Sequence, residues 1–106
     1  MAEANKRLEK LLAMLKKTPD DAFLLYGAAL EFKRSNDLEQ AATYLMRTLA
    51  VDPKASYAYH QLGLVHQLRG DLNLARQTLQ RGIDVASAGG DGHAKENMQA
   101  ALEEMK

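Results

Sequence analysis

The chain has 106 residues, enough for one domain with one continuous core. Apolar residues make up 46% and charged residues 26%, formal net charge is zero, and there is no cysteine. Disulfides, thiol catalysis and cysteine-based zinc sites are thereby excluded, and no global pull toward nucleic acid or an anionic membrane is expected.

The chain reads as six amphipathic helices and no strand. The first is expected over about residues 2–17, with Leu8, Leu11, Leu12 and Leu15 at helical spacing. Thr18 is then expected to cap a second helix of about residues 20–34, with Pro19 in its first turn and Asp20 and Asp21 favoured by the helix dipole. Ser35-Asn36-Asp37 ends that helix, and Asp37 caps the third, with Gln40 placed for a capping box. Asp52-Pro53 repeats the cap-then-proline device before the fourth helix, and Gly70-Asp71 separates the fourth from the fifth. Ser87-Ala88-Gly89-Gly90 closes the fifth and Asp91-Gly92 opens the sixth. Connections this short set consecutive helices antiparallel.

The second and fourth helices carry two apolar stripes where an ordinary surface helix has one. On the second helix these are Leu25, Ala28, Ala29 and Phe32, and, nearly opposite, Phe23, Tyr26 and Leu30. On the fourth they are Tyr59, Leu62, Gly63 and His66, and, opposite, Tyr57, His60 and Leu64. The third and fifth helices carry mainly one: Leu38, Ala41, Ala42, Leu45 and Leu49, then Leu72, Ala75, Leu79, Ile83 and Ala86.

These correspondences have a period of 34 residues. Pro19 answers Pro53, Leu30 answers Leu64, Asp37-Leu38 answers Asp71-Leu72, and Ala41, Leu45, Arg47 and Val51 answer Ala75, Leu79, Arg81 and Val85. A fixed period of this length marks a stacked repeat whose units bury their apolar faces against neighbours. The pattern resembles the tetratricopeptide repeat. The first copy supplies Leu25, Ala28-Ala29, Phe32, Ala41, Leu45, Thr48 and Pro53, and the second Tyr59, Leu62-Gly63, His66, Ala75, Leu79, Gly82 and Ser87. Ala29 and Thr48 depart from the usual Gly and Ala, and the second copy lacks the closing proline. The resemblance implies an all-α fold of antiparallel helix–turn–helix repeats stacked as a short right-handed solenoid. The chain then forms one domain over residues 1–106: an N-terminal helix over 1–17, repeats over 19–52 and 53–87, and a closing helix over 91–106. Leu11 lies one period before Leu45, so the first helix matches the second helix of an upstream unit, with Arg7 where a small residue is usual. The last helix, with Ala94, Met98, Ala101, Leu102 and Met105 on one stripe, resembles the helix that closes such arrays.

The resemblance further implies protein binding by a scaffold or adaptor, with the first helix of each unit lining a concave groove for a peptide or helix. The matching positions are Phe23, Tyr26, Leu30, Lys33 and Arg34, then Tyr57, His60, Gln61, Leu64 and Gln67. They coincide with the second stripes found above. Three occupants of that stripe stay open: a ligand, a second copy of the chain, or the C-terminal helix. The lysine and asparagine clusters by which some family members grip a terminal carboxylate are not supplied by Tyr26, Leu30, His60 and Leu64.

No enzyme is expected, and no cofactor or metal. His60 and His66 are six residues apart and point in different directions around one helix. His66 is expected to be a packed, hydrogen-bonded core residue, His60 a polar groove contact, and His93 a solvated loop residue. Residues 89–92 lack the Lys-Ser/Thr of a phosphate loop. Residues 1–17 carry a net charge of +3 and residues 89–106 a net of −2. The basic end is read as a solvated face rather than a nucleic-acid or membrane contact. Docking of one end on the other, between copies, would make a homo-oligomer. No apolar run reaches the ~18–20 residues of a membrane span, and Glu9, Lys10 and Lys16 interrupt any signal-peptide core. The expected location is cytoplasmic.

Overall fold

The computed structural model describes the backbone of residues 2–105 and the side chains of residues 6–105. Among these residues every regular element is a helix: α1 (Ala2–Lys17), α2 (Ala22–Arg34), α3 (Leu38–Val51), α4 (Ser56–Leu68), α5 (Leu72–Ala88) and α6 (Gly92–Glu104). The chain divides into two compact units, residues 1–53 with α1 to α3 and residues 54–106 with α4 to α6.

One device turns the chain three times. Asn36, Gly70 and Gly90 take positive φ, and each is followed by an aspartate that caps the next helix. The aspartate N–H donates back to a carbonyl five residues earlier: Asp37 to Phe32, Asp71 to His66 and Asp91 to Ala86. This is the Schellman closure, and it needs a residue tolerant of the left-handed region, which asparagine and glycine are. The carboxylate then accepts the N–H three residues on: Gln40 at 3.3 Å, Leu74 at 3.2 Å and Ala94 at 3.1 Å. Asp37 therefore caps α3 as expected, but the reciprocal half of a capping box does not form. The Asp37 N–H, which Gln40 would have to accept, is already given to Phe32.

The two proline segments depart from expectation. Thr18 closes α1 instead of opening α2, its N–H and hydroxyl both donating to the Met14 carbonyl. Pro19 and Asp20 lie in the turn, and Asp21 caps α2 by accepting the Leu24 N–H at 3.1 Å. Asp52 likewise ends α3, its N–H donating to Thr48. Proline one or two residues past a helix end stops the helix, and that is its role here. Helix α4 starts after Ala55, which offers no side-chain cap. The Ser56 hydroxyl donates to the second carboxylate oxygen of Asp91 at 3.0 Å, tying the starts of α4 and α6.

In the first unit, Leu15, Leu24, Leu25 and Ala28 form a buried cluster, with Leu8, Leu11, Leu12 and Tyr44 packed against it. The leucine stripe of α1 thus lies along α2. In the second unit, Ala75, Leu79, Ile83 and Ala86 of α5 pack with Met98, Ala101 and Met105, the last just past the end of α6. The expected stripe of α6 is the one buried. Leu72, placed on the α5 stripe by sequence, is instead 43% exposed.

Candidate protein-interaction site

The first-stripe residues Leu25, Ala28, Ala29 and Phe32 are buried, as are Leu62, Gly63 and His66 on α4, with Tyr59 half-buried. Position by position, the second stripe behaves differently. On α2, Phe23 is 80% exposed, Tyr26, Leu30 and Lys33 are half-buried, and Arg34 is exposed at the helix end. On α4, Tyr57 is 44% exposed, and His60, Gln61, Leu64 and Gln67 are half-buried. Leu64 packs against the α5–α6 cluster, so part of this stripe belongs to its own unit's core.

Each unit thus presents a helix face with a large aromatic at its N-terminal end. The far ends differ. Arg34 lies 3.7 Å from the Glu31 carboxylate, with Lys33 beside it in sequence, so the α2 face ends in cations. One period later stands Leu68, 60% exposed. Tyr57, Gln61, Leu64 and Leu68 follow the i, i+4, i+7, i+11 spacing of one helix face. Leu68 is therefore a further exposed apolar residue on that face, and its spacing was legible in the sequence. Leu74, three residues into α5, is a further exposed leucine beside the same turn.

A third side of α2 was also missed. Glu31 is buried, and its carboxylate meets Arg7 of α1 at 3.4 Å as well as Arg34. Gly27 faces Leu11 on the same side. A buried charge needs paired charge around it, and two arginines supply it. Arg7 thus anchors α1 on α2 while most of its side chain stays in water.

The histidines separate. His66 is buried at its aromatic core position, but its Nδ1 finds no hydrogen-bond partner, against the expectation of a bonded ring. Burial, reinforced by the Arg69 charge and opposed by Asp71, pushes its pKa below the ordinary imidazole value. His93 is exposed, as expected, but lies in the first turn of α6 and not in a loop. Among the described residues no three His, Asp or Glu side chains gather to hold a metal ion, and no helix is long and apolar enough to cross a membrane.

Paired helices with repeated turns and repeated exposed faces define a helical-repeat interaction module. No family model matches the sequence. A TPR repeat-containing protein of Pseudomonas aeruginosa is 36% identical over 98 residues, covering 92% of this chain and 93% of its own length. The chain belongs to the tetratricopeptide-repeat family. Among solved structures, a protein of Bordetella parapertussis is 28% identical, with a TM-score of 0.83 over 92% of this chain and 85% of its own. The TPR domain of Sgt2 from Aspergillus fumigatus is 25% identical, with a TM-score of 0.77 over 97% of this chain and 70% of its own.

Proposed function

We propose that the α2 face and the α4 face are each a contact surface for an extended peptide or amphipathic helix from a protein partner. Phe23, Tyr26, Leu30, Lys33 and Arg34 form the contacts of the first unit, and Tyr57, His60, Gln61, Leu64, Gln67 and Leu68 those of the second. The observation that carries this reading is the exposure of Phe23 and Tyr57, one period apart. A large aromatic left in water forgoes the stabilisation that burial would give it, about 1.5–3 kcal/mol for a phenylalanine. Both repeats leave one at the same position. The cations Lys33 and Arg34 favour an acidic residue in the ligand segment that meets α2, and Leu68 favours an apolar one beside α4. Two repeats give a small contact area, so affinity for a short peptide is expected at roughly micromolar or weaker.

The test is selection from a random peptide library on the whole chain, followed by titration of the selected peptides into Phe23→Ser/Tyr57→Ser. Both positions are exposed, so the helical circular dichroism should be unchanged. The expected result is at least tenfold weaker binding, a loss of about 1.4 kcal/mol. Selected peptides that bind the variant as well as the wild type would remove these faces as the site.

A further inference from the structure

The structure carries a second pair of surfaces, independent of the α2 and α4 faces. The 34-residue register places Arg7, Leu11 and Met14 of α1 where α3 has Ala41, Leu45 and Thr48 and α5 has Ala75, Leu79 and Gly82. On α3 and α5 these positions are sealed. On α1 they are not: the Arg7 side chain is 71% exposed, Met14 is 52% exposed, and Leu11 is half-buried. Lys10 and Lys17, four residues before and three after Met14, are exposed on the same side. Leu11 packs partly on the α1–α2 cluster and Arg7 pairs with Glu31, so the outer face of α1 carries one exposed apolar tooth, Met14, between Lys10 and Lys17.

The complementary shape lies in the second unit. Between α5 and α6 runs an open groove of about 460 Å³ lined by Arg76, Gln80 and Ile83 on one wall and Gln99, Leu102 and Glu103 on the other. Its apolar parts are Ile83 and Leu102. One acid, Glu103, is in the lining; α6 also carries the exposed Glu96 and Glu104, and Asp84 lies one turn beyond Gln80, which donates to it at 3.4 Å. Arg76, the cation in the lining, folds back on its own unit and donates to the Met105 carbonyl and the Asn73 side chain.

We propose that the occupant of this groove is α1 of a second copy of the chain. Met14 enters between Ile83 and Leu102, and Lys10 and Lys17 meet the acids of α6. Charge decides in favour of a second copy. The N-terminal seventeen residues carry +3 and the last eighteen −2 on a chain of zero net charge, so like ends repel and unlike ends attract. The contact uses two different patches and is head-to-tail, unlike a two-fold dimer that uses one patch twice. One helix against two is a small interface, so association is weak, with a dissociation constant of roughly 10 µM to 1 mM.

Sedimentation equilibrium of the whole chain tests this. The weight-average mass is expected to rise above the 11.7 kDa of one chain as concentration approaches 1 mM at low salt. Association should weaken about tenfold between ~0.05 and ~0.5 M salt. Lys10→Glu/Met14→Glu blocks the tooth and Leu102→Lys blocks the groove, so each alone stays at one chain. Mixed, they retain one intact tooth and one intact groove and stop at two chains. Should Leu102→Lys lose its helical circular dichroism, the exposed Gln80→Lys/Gln99→Lys replaces it. A wild type that stays at one chain throughout overturns the proposal. So does association that ignores salt, or that persists in both variants, or a mixture that stays at one chain.

Discussion

The two repeats solve the same packing problem with the volume placed on opposite sides of the contact. The first has Ala29 and Thr48 where the second has Gly63 and Gly82. In the second unit a Cβ at position 63 would stand 2.6 Å from the Leu79 side chain. One at position 82 would stand 2.5 Å from the Met98 sulfur and 2.6 Å from the Tyr59 Cβ. The helices of this unit come together on glycine and are filled by Tyr59 and Met98. The first unit fills its seam differently. Phe32 meets Tyr44 with ring centroids 5.1 Å apart, and the Arg47 guanidinium lies 4.8 Å from the Tyr44 ring centre. One period on, those three positions are His66, Thr78 and Arg81. The comparison shows that the repeat fixes where helices run, while each unit chooses which residue supplies the bulk.

Exchanging residues between the units is the way to break this picture. The largest effect is expected for Gly82→Thr, which installs the first unit's residue in the second. Cβ and its branches would meet Met98 and the base of Tyr59. The expected loss is about 3 kcal/mol, because overpacking a filled contact forces neighbours off their rotamers. The reverse exchange, Thr48→Gly, should cost less, about 1–2 kcal/mol. It removes a buried methyl and a hydroxyl that donates to the Tyr44 carbonyl at 2.8 Å, but creates no clash. Urea unfolding of both variants measures the asymmetry, and equal losses would show that the two seams are packed alike.

The second exchange concerns the aromatic position. His66→Phe copies Phe32 and deletes the unpartnered Nδ1. At pH 8 the phenylalanine protein is expected to be more stable by about 1 kcal/mol, the penalty of leaving a buried polar atom unmet. The difference should widen on acidification. With its folded pKa depressed, His66 takes up a proton more readily in the unfolded chain. Stability of the wild type therefore falls as pH drops below the unfolded value near 6.5, and the loss levels off below the folded value. The variant lacks this contribution. Thermal unfolding across pH 4.5–8 reads it directly, and parallel curves would show that His66 does not titrate differently on folding.

Much of this architecture was legible in the sequence, because period and small-residue placement act over long stretches. Leu25, Ala28 and Phe32, with Leu45 and Leu79, sit where the 34-residue register puts them. What escaped depends on single contacts between distant residues. Thr18 and Asp21 are both good helix starters within one turn. Only the Thr18 hydrogen bonds to Met14 decide that the first ends α1 and the second begins α2. Glu31 looks like a solvent-facing residue of α2 until α1 lies over it with Arg7 in reach. Leu72 repeats Leu38 in register, yet one is exposed and the other half-buried.

The smallest effects belong to the caps, and they sharpen the comparison because the same aspartate is used for different work. Asp37→Ala and Asp71→Ala each remove one carboxylate acceptor from an exposed helix start, at an expected 0.5–1 kcal/mol, roughly the lower half of the usual range for a lost cap. The two should be nearly equal, since the turns before them are closed by the same hydrogen bonds. Asp91→Ala should cost more, about 1–1.5 kcal/mol, because its second oxygen also accepts the hydroxyl of the buried Ser56. Ser56→Ala in the Asp91→Ala background should then cost almost nothing further. A double-mutant cycle isolates that term. A zero coupling energy would mean that the starts of α4 and α6 are held by the apolar packing around Met98 alone.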